Sequence, residues 1–219
     1  MGPMKILLIR HGQTEWNRLG RAQGHTDTPL DDEGLRQARL LADSLAGHSV
    51  ATVWTSDLAR ALTTAEHVQR SVGGELVATP LLRERSFGTA EGSMYGELRQ
   101  AADAAARVEG VTPEAFRVAP GAESEIDVWQ RIVPWADEVV RTDASIAVVS
   151  HGGTCGLLLA RWLGGDFTMA RRFRFGNTAV TEFEVFPLRG PVLLRYNDTR
   201  HLDQPSAPMI DLHHVGPNP

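Results

Sequence analysis

Two histidines stand in the same local setting at distant positions in the sequence. His11 comes one residue after the aliphatic run of residues 4–9, His151 comes one residue after the short apolar run of residues 145–149, and glycine follows each histidine. Such runs predict buried strands of a parallel sheet. Because the carboxyl ends of parallel strands meet at one edge of the sheet, we expect the two imidazoles to lie close together there.

Two arginines would bring positive charge to the same edge. Arg10 ends the first apolar run, where an always-charged guanidinium requires an anion or a carboxylate as its partner. Arg60 lies in the first turn of a predicted helix, where a cation opposes the helix dipole unless it faces a ligand. The planar fork of arginine suits phosphate oxygens, and glycines beside a helix start let backbone amides approach the same anion. These residue types together predict a phosphate site.

Other nucleophiles and a metal site have weaker support. Cys155 and Arg161 match the bare spacing of cysteine-dependent phosphatases, but the residues between them are mostly aliphatic and suited to a buried helix. Ser150 lacks the glycine two residues before it that a nucleophile elbow requires. No pair of histidines has the helical spacing of a zinc site. We therefore expect no metal and no other cofactor.

The composition argues against several classes of function. The chain has 219 residues and a formal net charge of −5, so no global basic field would draw it to nucleic acid or to an anionic membrane. Its apolar runs are too short to span a bilayer, and its N-terminus lacks a signal-peptide pattern. We expect a cytoplasmic protein whose partner is a small phosphorylated metabolite. The oligomeric state stays open, a homodimer included.

Strand-like and helix-like segments alternate along the chain, which predicts an α/β fold. Strands are predicted at residues 4–9, 52–56, 75–78, 145–149, 178–186 and 192–197. Helices are predicted at residues 32–45, capped by Asp31 or Asp32, and at 58–72, 97–108, 124–141 and 154–163. We expect a single domain over residues 1–203, with a small helical cap inserted at about 93–121, and a flexible C-terminal tail over 204–219.

Five segments of the chain resemble one known family in their order and spacing. They are residues 8–17 (LIRHGQTEWN), 26–34, 55–61 (TSDLARA), 82–92 and 149–153 (VSHGG). The first closely resembles the opening signature of the histidine phosphatase superfamily, also called phosphoglycerate mutase-like. The third resembles its arginine-bearing turn, the fourth its acid loop and the fifth its second histidine motif. The resemblance runs from about Met4 to His201 and implies a three-layer αβα sandwich with a mostly parallel central sheet.

The resemblance also implies a phosphatase reaction through a covalent phosphohistidine. His11 would be the nucleophile that takes the phosphoryl group. Arg10, Arg60 and His151 would contact the phosphoryl oxygens, where charge accumulates in the transition state. Glu84 would act as general acid toward the leaving alkoxide and then as base toward the attacking water.

Several assignments have an ordinary structural alternative. Glu84 could instead form a surface ion pair with Arg83 or Arg85, because all three are adjacent in the sequence. Four further residues are candidates for binding phosphate or for orienting the nucleophile, and the same residue types also suit plain turns. These candidates are Asn17, Gln23, Gly24 and Gly152.

Two rival functions remain beside the phosphatase. A phosphoglycerate mutase returns the phosphoryl group to a bound product instead of to water. Mutases of this family usually carry a tyrosine in the acid loop, where this chain has Phe87, and an adjacent arginine pair in a longer insertion, whereas Arg107 and Arg117 stand apart here. A non-catalytic binding member of the fold typically lacks the nucleophile or an arginine. This chain keeps all five catalytic positions, namely the nucleophile, the two arginines, the second histidine and the acidic residue. The differences from the mutase pattern favour the phosphatase.

Overall fold

Six strands form the central sheet of the computed structural model, which describes residues 4–109 and 111–202. The strands are β1 (Met4–Arg10), β2 (Thr52–Ser56), β3 (Glu75–Thr79), β4 (Ile146–Ser150), β5 (Val180–Phe186) and β6 (Gly190–Asp198). Their order across the sheet is β3-β2-β4-β1-β5-β6. The first four in this order are parallel neighbours, whereas β5 pairs antiparallel with both β1 and β6. The predicted mostly parallel sheet is confirmed.

Helices cover both faces of the sheet. They are α1 (Glu15–Arg18), α2 (Asp32–Ser44), α3 (Ala59–Val72), α4 (Tyr95–Glu109), α5 (Glu125–Val139), α6 (Gly152–Trp162) and α7 (Phe167–Ala170). Successive side chains of a strand point to opposite faces. Accordingly, Leu7 and Ile9 of β1 join the core formed with α2 and α3, whereas Ile6 and Leu8 join the core formed with α5 and α6. The α/β class and the three-layer αβα sandwich are confirmed.

Two predicted boundaries differ from the structure at positions that matter for the candidate site. Helix α6 begins at Gly152, two residues before the predicted start, because glycine is a poor helix former but its cost is small in the first turn. Strand β5 begins at Val180 rather than at residue 178. Thr178 has a positive φ of 55° and its backbone N–H donates to the Arg10 carbonyl, so it lies outside the regular ladder.

The sequence pattern also missed the short helices α1 and α7. Helix α1 has four residues, too few to show a helical period. It is held instead by a capping box, in which the Thr14 hydroxyl accepts from the Asn17 backbone N–H and the Asn17 side chain accepts from the Thr14 backbone N–H. The N-cap of α2 is Asp31, one of the two predicted candidates.

The predicted cap contains helix α4 and is joined to the rest of the molecule by short bridges. Met94 pairs with Arg21, and just beyond the segment Ala122 pairs with Phe87. The division into one domain with a cap stays a prediction, and the predicted tail at 204–219 lies outside the described residues. No helix in the described part of the chain is both long and apolar enough to cross a membrane.

Candidate active site

The two histidines meet at the carboxyl edge of the sheet. Strands β1 and β4 are parallel neighbours with Arg10 opposite Ser150, and the His11 backbone N–H donates to the Ser150 carbonyl at 2.9 Å. The rings of His11 and His151 are 5.1 Å apart between centroids and are inclined by 61°. Both side chains are buried. The strand register therefore brings together two residues that are 140 positions apart in the sequence.

The His11 ring is fixed in one tautomer. Its Nδ1 lies 2.6 Å from the Gly12 carbonyl oxygen. A carbonyl can only accept a hydrogen bond, so Nδ1 carries the proton and Nε2 keeps its lone pair. Burial, reinforced by the charges of Arg60 and Arg10, holds the pKa of His11 well below its ordinary value. At neutral pH the ring is therefore uncharged, with a free lone pair on Nε2, as a nucleophile requires.

His151 has the opposite tautomer, because Arg60 sets it. The Arg60 Nε donates to His151 Nδ1 at 3.3 Å, and a guanidinium has no acceptor, so Nδ1 must be the acceptor. The proton of the neutral ring then sits on Nε2. Burial is the main cause that lowers the pKa of His151 well below its ordinary value, and the Arg60 charge adds to it. His151 is therefore a neutral donor at Nε2.

Arg60 is enclosed by the loop that precedes α2. It is the second residue of α3 and is only 1% exposed. Its Nη1 donates to the Thr26 carbonyl at 2.9 Å and its Nη2 to the Gly24 carbonyl at 2.8 Å. Burial lowers the pKa of Arg60 to about 10, so the guanidinium stays charged at neutral pH. Gly24 has a φ of +55°, and a Cβ there would lie 2.2 Å from the Glu91 carboxylate.

Two nitrogen donors are buried at this edge of the sheet. Among the residues that the structure describes, neither Arg10 Nε nor His151 Nε2 has a hydrogen-bond acceptor, although Arg10 Nη1 donates to the Phe175 carbonyl. Burying an unpaired donor costs about 1–3 kcal/mol, and more when the group is charged. Burial accordingly lowers the pKa of Arg10, whereas the Glu84 charge acts in the opposite direction. Oxygens of a bound anion would satisfy both donors.

Glu84 is held against the start of α6. One carboxylate oxygen accepts from the Gly153 backbone N–H and the other from the Arg85 backbone N–H, both at 2.9 Å. A Cβ on Gly153 would lie 2.5 Å from this carboxylate, so a side chain at this position would displace the Glu84 carboxylate. The alternative ion pairs are not formed, because the Arg83 guanidinium binds Asp57. The Arg85 guanidinium lies instead 3.8 Å from the carboxylate of Glu125.

The four further candidates lie near this edge of the sheet, and the side-chain oxygens of two of them, Asn17 and Gln23, bind neighbouring turns. The Asn17 side-chain oxygen accepts from the Thr14 backbone N–H at 3.2 Å. The Gln23 side-chain oxygen accepts from the Thr14 hydroxyl at 3.0 Å and from the Thr28 hydroxyl. Gly152 faces Arg10, since a Cβ there would lie 3.5 Å from Arg10 Nε. A phosphate-binding role for Asn17, Gln23, Gly24 and Gly152 stays a prediction.

The two alternative nucleophiles considered from the sequence have structural roles. Cys155 is fully buried in α6 with its Sγ 3.7 Å from the Ile9 carbonyl oxygen, and burial raises the pKa of its thiol. A thiol held protonated in this way is a poor nucleophile. The Ser150 hydroxyl donates to the Leu82 carbonyl at 2.7 Å and serves to hold the acid loop.

Sequence reasoning missed two residues that hold the His11 backbone. The Asn177 side-chain amide donates to the His11 carbonyl at 3.0 Å and to the Asn17 side-chain oxygen at 3.2 Å. The backbone N–H of Thr178 donates to the carbonyls of Arg10 and His11 at 3.0 and 3.3 Å. Asn177 and Thr178 reach the site through the antiparallel pairing of β5 with β1. In the sequence they are simply two polar residues before a strand, which does not indicate a role at the site.

Burial of two neutral imidazoles makes the stability of the protein depend on pH. Below the ordinary histidine pKa of about 6.5, His11 and His151 take up protons in the unfolded chain but not in the folded protein. We therefore expect the free energy of unfolding to fall by up to about 1.4 kcal/mol per pH unit for each ring as the pH drops below about 6.5. Urea unfolding in phosphate-free buffers between about pH 5 and pH 8 measures this.

The contribution of His11 and His151 to the pH dependence of stability can be separated from that of other histidines. Burial also lowers the pKa of His67 and His201, which act in the same direction. A His151→Asn variant should show a shallower fall of the unfolding free energy below about pH 6.5 than the wild type. An unchanged slope would contradict a neutral, buried His151.

One family model matches most of the chain. The profile of the histidine phosphatase superfamily (branch 1) matches residues 6–199. "Probable phosphoglycerate mutase GpmB" of Yersinia pestis (strain Pestoides F) is 31% identical over 209 residues, which cover 93% of this chain and 97% of that protein.

Solved structures of two phosphatases are also similar. A phosphoserine phosphatase mutant from Entamoeba histolytica, in complex with phosphoserine, is 31% identical with a TM-score of 0.73 and covers 91% of this chain and 99% of its own. The α-ribazole phosphatase from Shigella flexneri is 27% identical with a TM-score of 0.77 and covers 90% and 97%, respectively. The similar proteins thus include phosphatases as well as one with the name of a mutase.

Proposed function

This chain belongs to the histidine phosphatase superfamily, and we propose that it hydrolyses small-molecule phosphate monoesters through a phosphohistidine on His11. One observation carries the proposal: the unprotonated Nε2 of a buried, neutral His11 lies in a site where two buried donors, Arg10 Nε and His151 Nε2, lack a partner within the described part of the chain. A phosphoryl group would offer its phosphorus to His11 Nε2 as an electrophile. Its anionic oxygens would accept hydrogen bonds from Arg10 Nε and His151 Nε2.

The proposed reaction has two transfers. In the first, His11 Nε2 forms a bond to phosphorus while the bond from phosphorus to the ester oxygen breaks, and Glu84 gives its proton to the departing alkoxide. In the second, Glu84 accepts a proton from water as the water oxygen bonds to phosphorus and the bond to His11 breaks. Arg10, Arg60 and His151 stabilise the charge on the phosphoryl oxygens in both steps. Neither transfer requires a metal ion.

Features of the cap segment and acid loop favour a phosphatase over a mutase. Phe87 stands where the mutases of the family usually have tyrosine. Arg117 is bound by both nitrogens of its fork to Asp127, at 2.6 and 2.8 Å, and Arg107 is exposed on α4, so these arginines do not form an adjacent pair. The phosphatases similar in structure carry phosphoserine and α-ribazole in their names. A small phosphorylated metabolite is therefore the proposed substrate class.

The first test is hydrolysis of p-nitrophenyl phosphate in the presence of excess EDTA. We expect turnover at the same rate with and without the chelator, because the proposed groups are all side chains. The Cys155→Ser variant should keep wild-type kcat/KM, because Cys155 is buried and its thiol is protonated. Phosphate release measures the hydrolysis, and isomerisation of phosphoglycerate measured on the same preparation distinguishes a mutase.

The outcomes separate the candidate functions. Hydrolysis that survives EDTA, with little isomerisation, supports the phosphatase. Isomerisation that far exceeds hydrolysis would assign the mutase activity implied by the name of the Yersinia pestis relative. A folded protein that does neither would be a binding member of the fold, and loss of activity with EDTA or in Cys155→Ser would contradict the proposed chemistry.

A further inference from the structure

One arginine of α5 binds the backbone of the acid loop. The Arg131 Nη1 donates to the carbonyls of Leu81 and Arg83, at 2.6 and 3.1 Å, and its Nη2 donates to the carbonyl of Glu84 at 3.3 Å. The planar fork of a guanidinium can reach several acceptors at once. Arg131 therefore fixes the main chain on the N-terminal side of Glu84 and at Glu84 itself.

Glu123 completes this arrangement from the other side. It binds Arg131 with both carboxylate oxygens, at 3.1 and 3.0 Å, and one of these oxygens also accepts from the Ser86 backbone N–H at 2.9 Å. The ion pair thus contacts carbonyls that precede Glu84 and an amide that follows it. Both side chains are largely buried, at 18% and 23% exposed, so screening by solvent is limited.

His25 adds a contact at the same carbonyl. Its Nε2 lies 2.9 Å from the Glu84 carbonyl oxygen and 3.6 Å from the Glu123 carboxylate. Because the carbonyl can only accept, the ring donates from Nε2. The loop that carries Glu84 is thus held by side chains from α5, from the segment before α5 and from the loop before α2.

We propose that Arg131, oriented by Glu123, is a positioning residue for the general acid Glu84. The inference rests on the proposed function, because it needs Glu84 to deliver a proton to the leaving group. The Glu84 carboxylate is bound by the amides of Gly153 and Arg85, and it meets both only while the loop keeps its main-chain path. The hydrogen bonds from Arg131 to Leu81, Arg83 and Glu84 all go to main-chain carbonyls, so its effect passes through the backbone.

The leaving group reports on this role. A general acid must lie within hydrogen-bond reach of the oxygen that it protonates, and a displacement of about 1 Å can cost on the order of 10²-fold in rate. p-Nitrophenolate departs readily as an anion and gains little from the acid, whereas phenolate is much more basic and gains more. p-Nitrophenyl phosphate and phenyl phosphate share the phenyl ester and differ by one nitro group, so the change in the ratio of their kcat/KM values between wild type and variant reports on proton delivery.

The experiment compares this ratio in three variants. Glu84→Gln sets the reference, because it removes the proton and should lower kcat/KM for phenyl phosphate by on the order of 10² more than kcat/KM for p-nitrophenyl phosphate. Arg131→Met should shift the ratio of the two kcat/KM values in the same direction, by at least about 10-fold. Arg131→Lys, which keeps the charge but lacks the fork, should lie between Arg131→Met and the wild type.

Arg161→Met is the matched control. Arg161 of α6 binds Asp137 of α5 with two nitrogens, both at 2.7 Å, and this second arginine–carboxylate pair on α5 makes no hydrogen bond to the acid loop. Its loss should leave the ratio of the two rates at the wild-type value. Circular dichroism and thermal unfolding show whether each variant is folded, and the lysine variant carries the test if Arg131→Met is not.

The outcomes distinguish this inference from the proposed function. A folded Arg131→Met or Arg131→Lys that lowers both rates equally would overturn the inference, provided that Glu84→Gln shifts the ratio. If Glu84→Gln leaves the ratio unchanged, the assignment of Glu84 as general acid fails, and the inference fails with it. A shift in Glu84→Gln and Arg131→Met but not in Arg161→Met is the expected result.

Discussion

Replacement of His11 by alanine is expected to lower kcat/KM for phosphate monoesters by at least about 10⁴-fold, which is the largest effect predicted for this protein. The reason is that the two other candidate nucleophiles, Cys155 and Ser150, are not available for attack. Cys155 is fully buried, and burial raises the pKa of its thiol. The Ser150 hydroxyl is committed to the Leu82 carbonyl. Steady-state hydrolysis of p-nitrophenyl phosphate measures the loss.

The same variant tests the covalent intermediate. Wild-type protein mixed with substrate and quenched in base should carry a phosphoryl group on the peptide that contains His11, because phosphohistidine withstands base and is labile in acid. The His11→Ala protein should carry none. His48→Ala is a suitable control, since His48 lies beside Lys5 and Ser145, at the opposite edge of the sheet, and its loss should leave kcat/KM unchanged. Activity that persists in His11→Ala would exclude the proposed mechanism.

The sequence was sufficient to place the central residues of the candidate site. Arg10 and His11 directly follow one apolar run, and His151 comes just after another. Their meeting requires only that these two strands are parallel neighbours, and β1 and β4 are. Arg60 could be placed in the first turn of a helix because the pattern of α3 is regular. Features coded by local periodicity were therefore predictable.

The residues that hold this centre in place could not be predicted in the same way. Arg131 lies in an ordinary amphipathic helix, and nothing in its neighbourhood in the sequence shows that it binds carbonyls about 50 residues earlier. Asn177 reaches the His11 carbonyl only through the antiparallel pairing of β5 with β1. The tautomers of the two histidines likewise follow from single hydrogen bonds. These features depend on long-range packing, which no periodicity encodes.

Replacement of Arg60 by methionine should reduce both stability and activity. The side chain is buried, and its three donor groups bind the carbonyls of Gly24 and Thr26 and the ring of His151. Among the described residues, methionine would leave the Gly24 carbonyl and His151 Nδ1 without a donor, whereas the Thr26 carbonyl still accepts from the Thr28 backbone N–H. Hydrogen bonds to charged groups contribute about 1.5–3 kcal/mol each, offset in part by the cost of burying the guanidinium, so we expect a loss of about 2–4 kcal/mol in the free energy of unfolding.

Loss of Arg60 should also lower kcat/KM by about 10²–10³-fold, for two reasons. The positive charge that would stabilise the phosphoryl oxygens disappears. In addition, the Nδ1 of His151 loses the donor that fixes the ring, so the proton no longer has to sit on Nε2, where a phosphoryl oxygen would meet it. Steady-state kinetics measures the loss of kcat/KM. The lost donor to His151 also predicts that Arg60→Met binds inorganic phosphate more weakly, which is measured as a smaller rise in Tm on phosphate addition.

Two further variants separate these causes from a general loss of stability. Arg60→Lys keeps a cation but cannot bind two carbonyls and an imidazole through one planar group, so it should recover part of the stability and little of the activity. Arg70→Met is the control on the same helix, because the Arg70 side chain is 66% exposed and lies 3.9 Å from Glu66. This substitution should change the free energy of unfolding by less than about 0.5 kcal/mol. If Arg60→Lys instead restored full turnover, charge alone would suffice, and the fixed tautomer of His151 would have no part in catalysis.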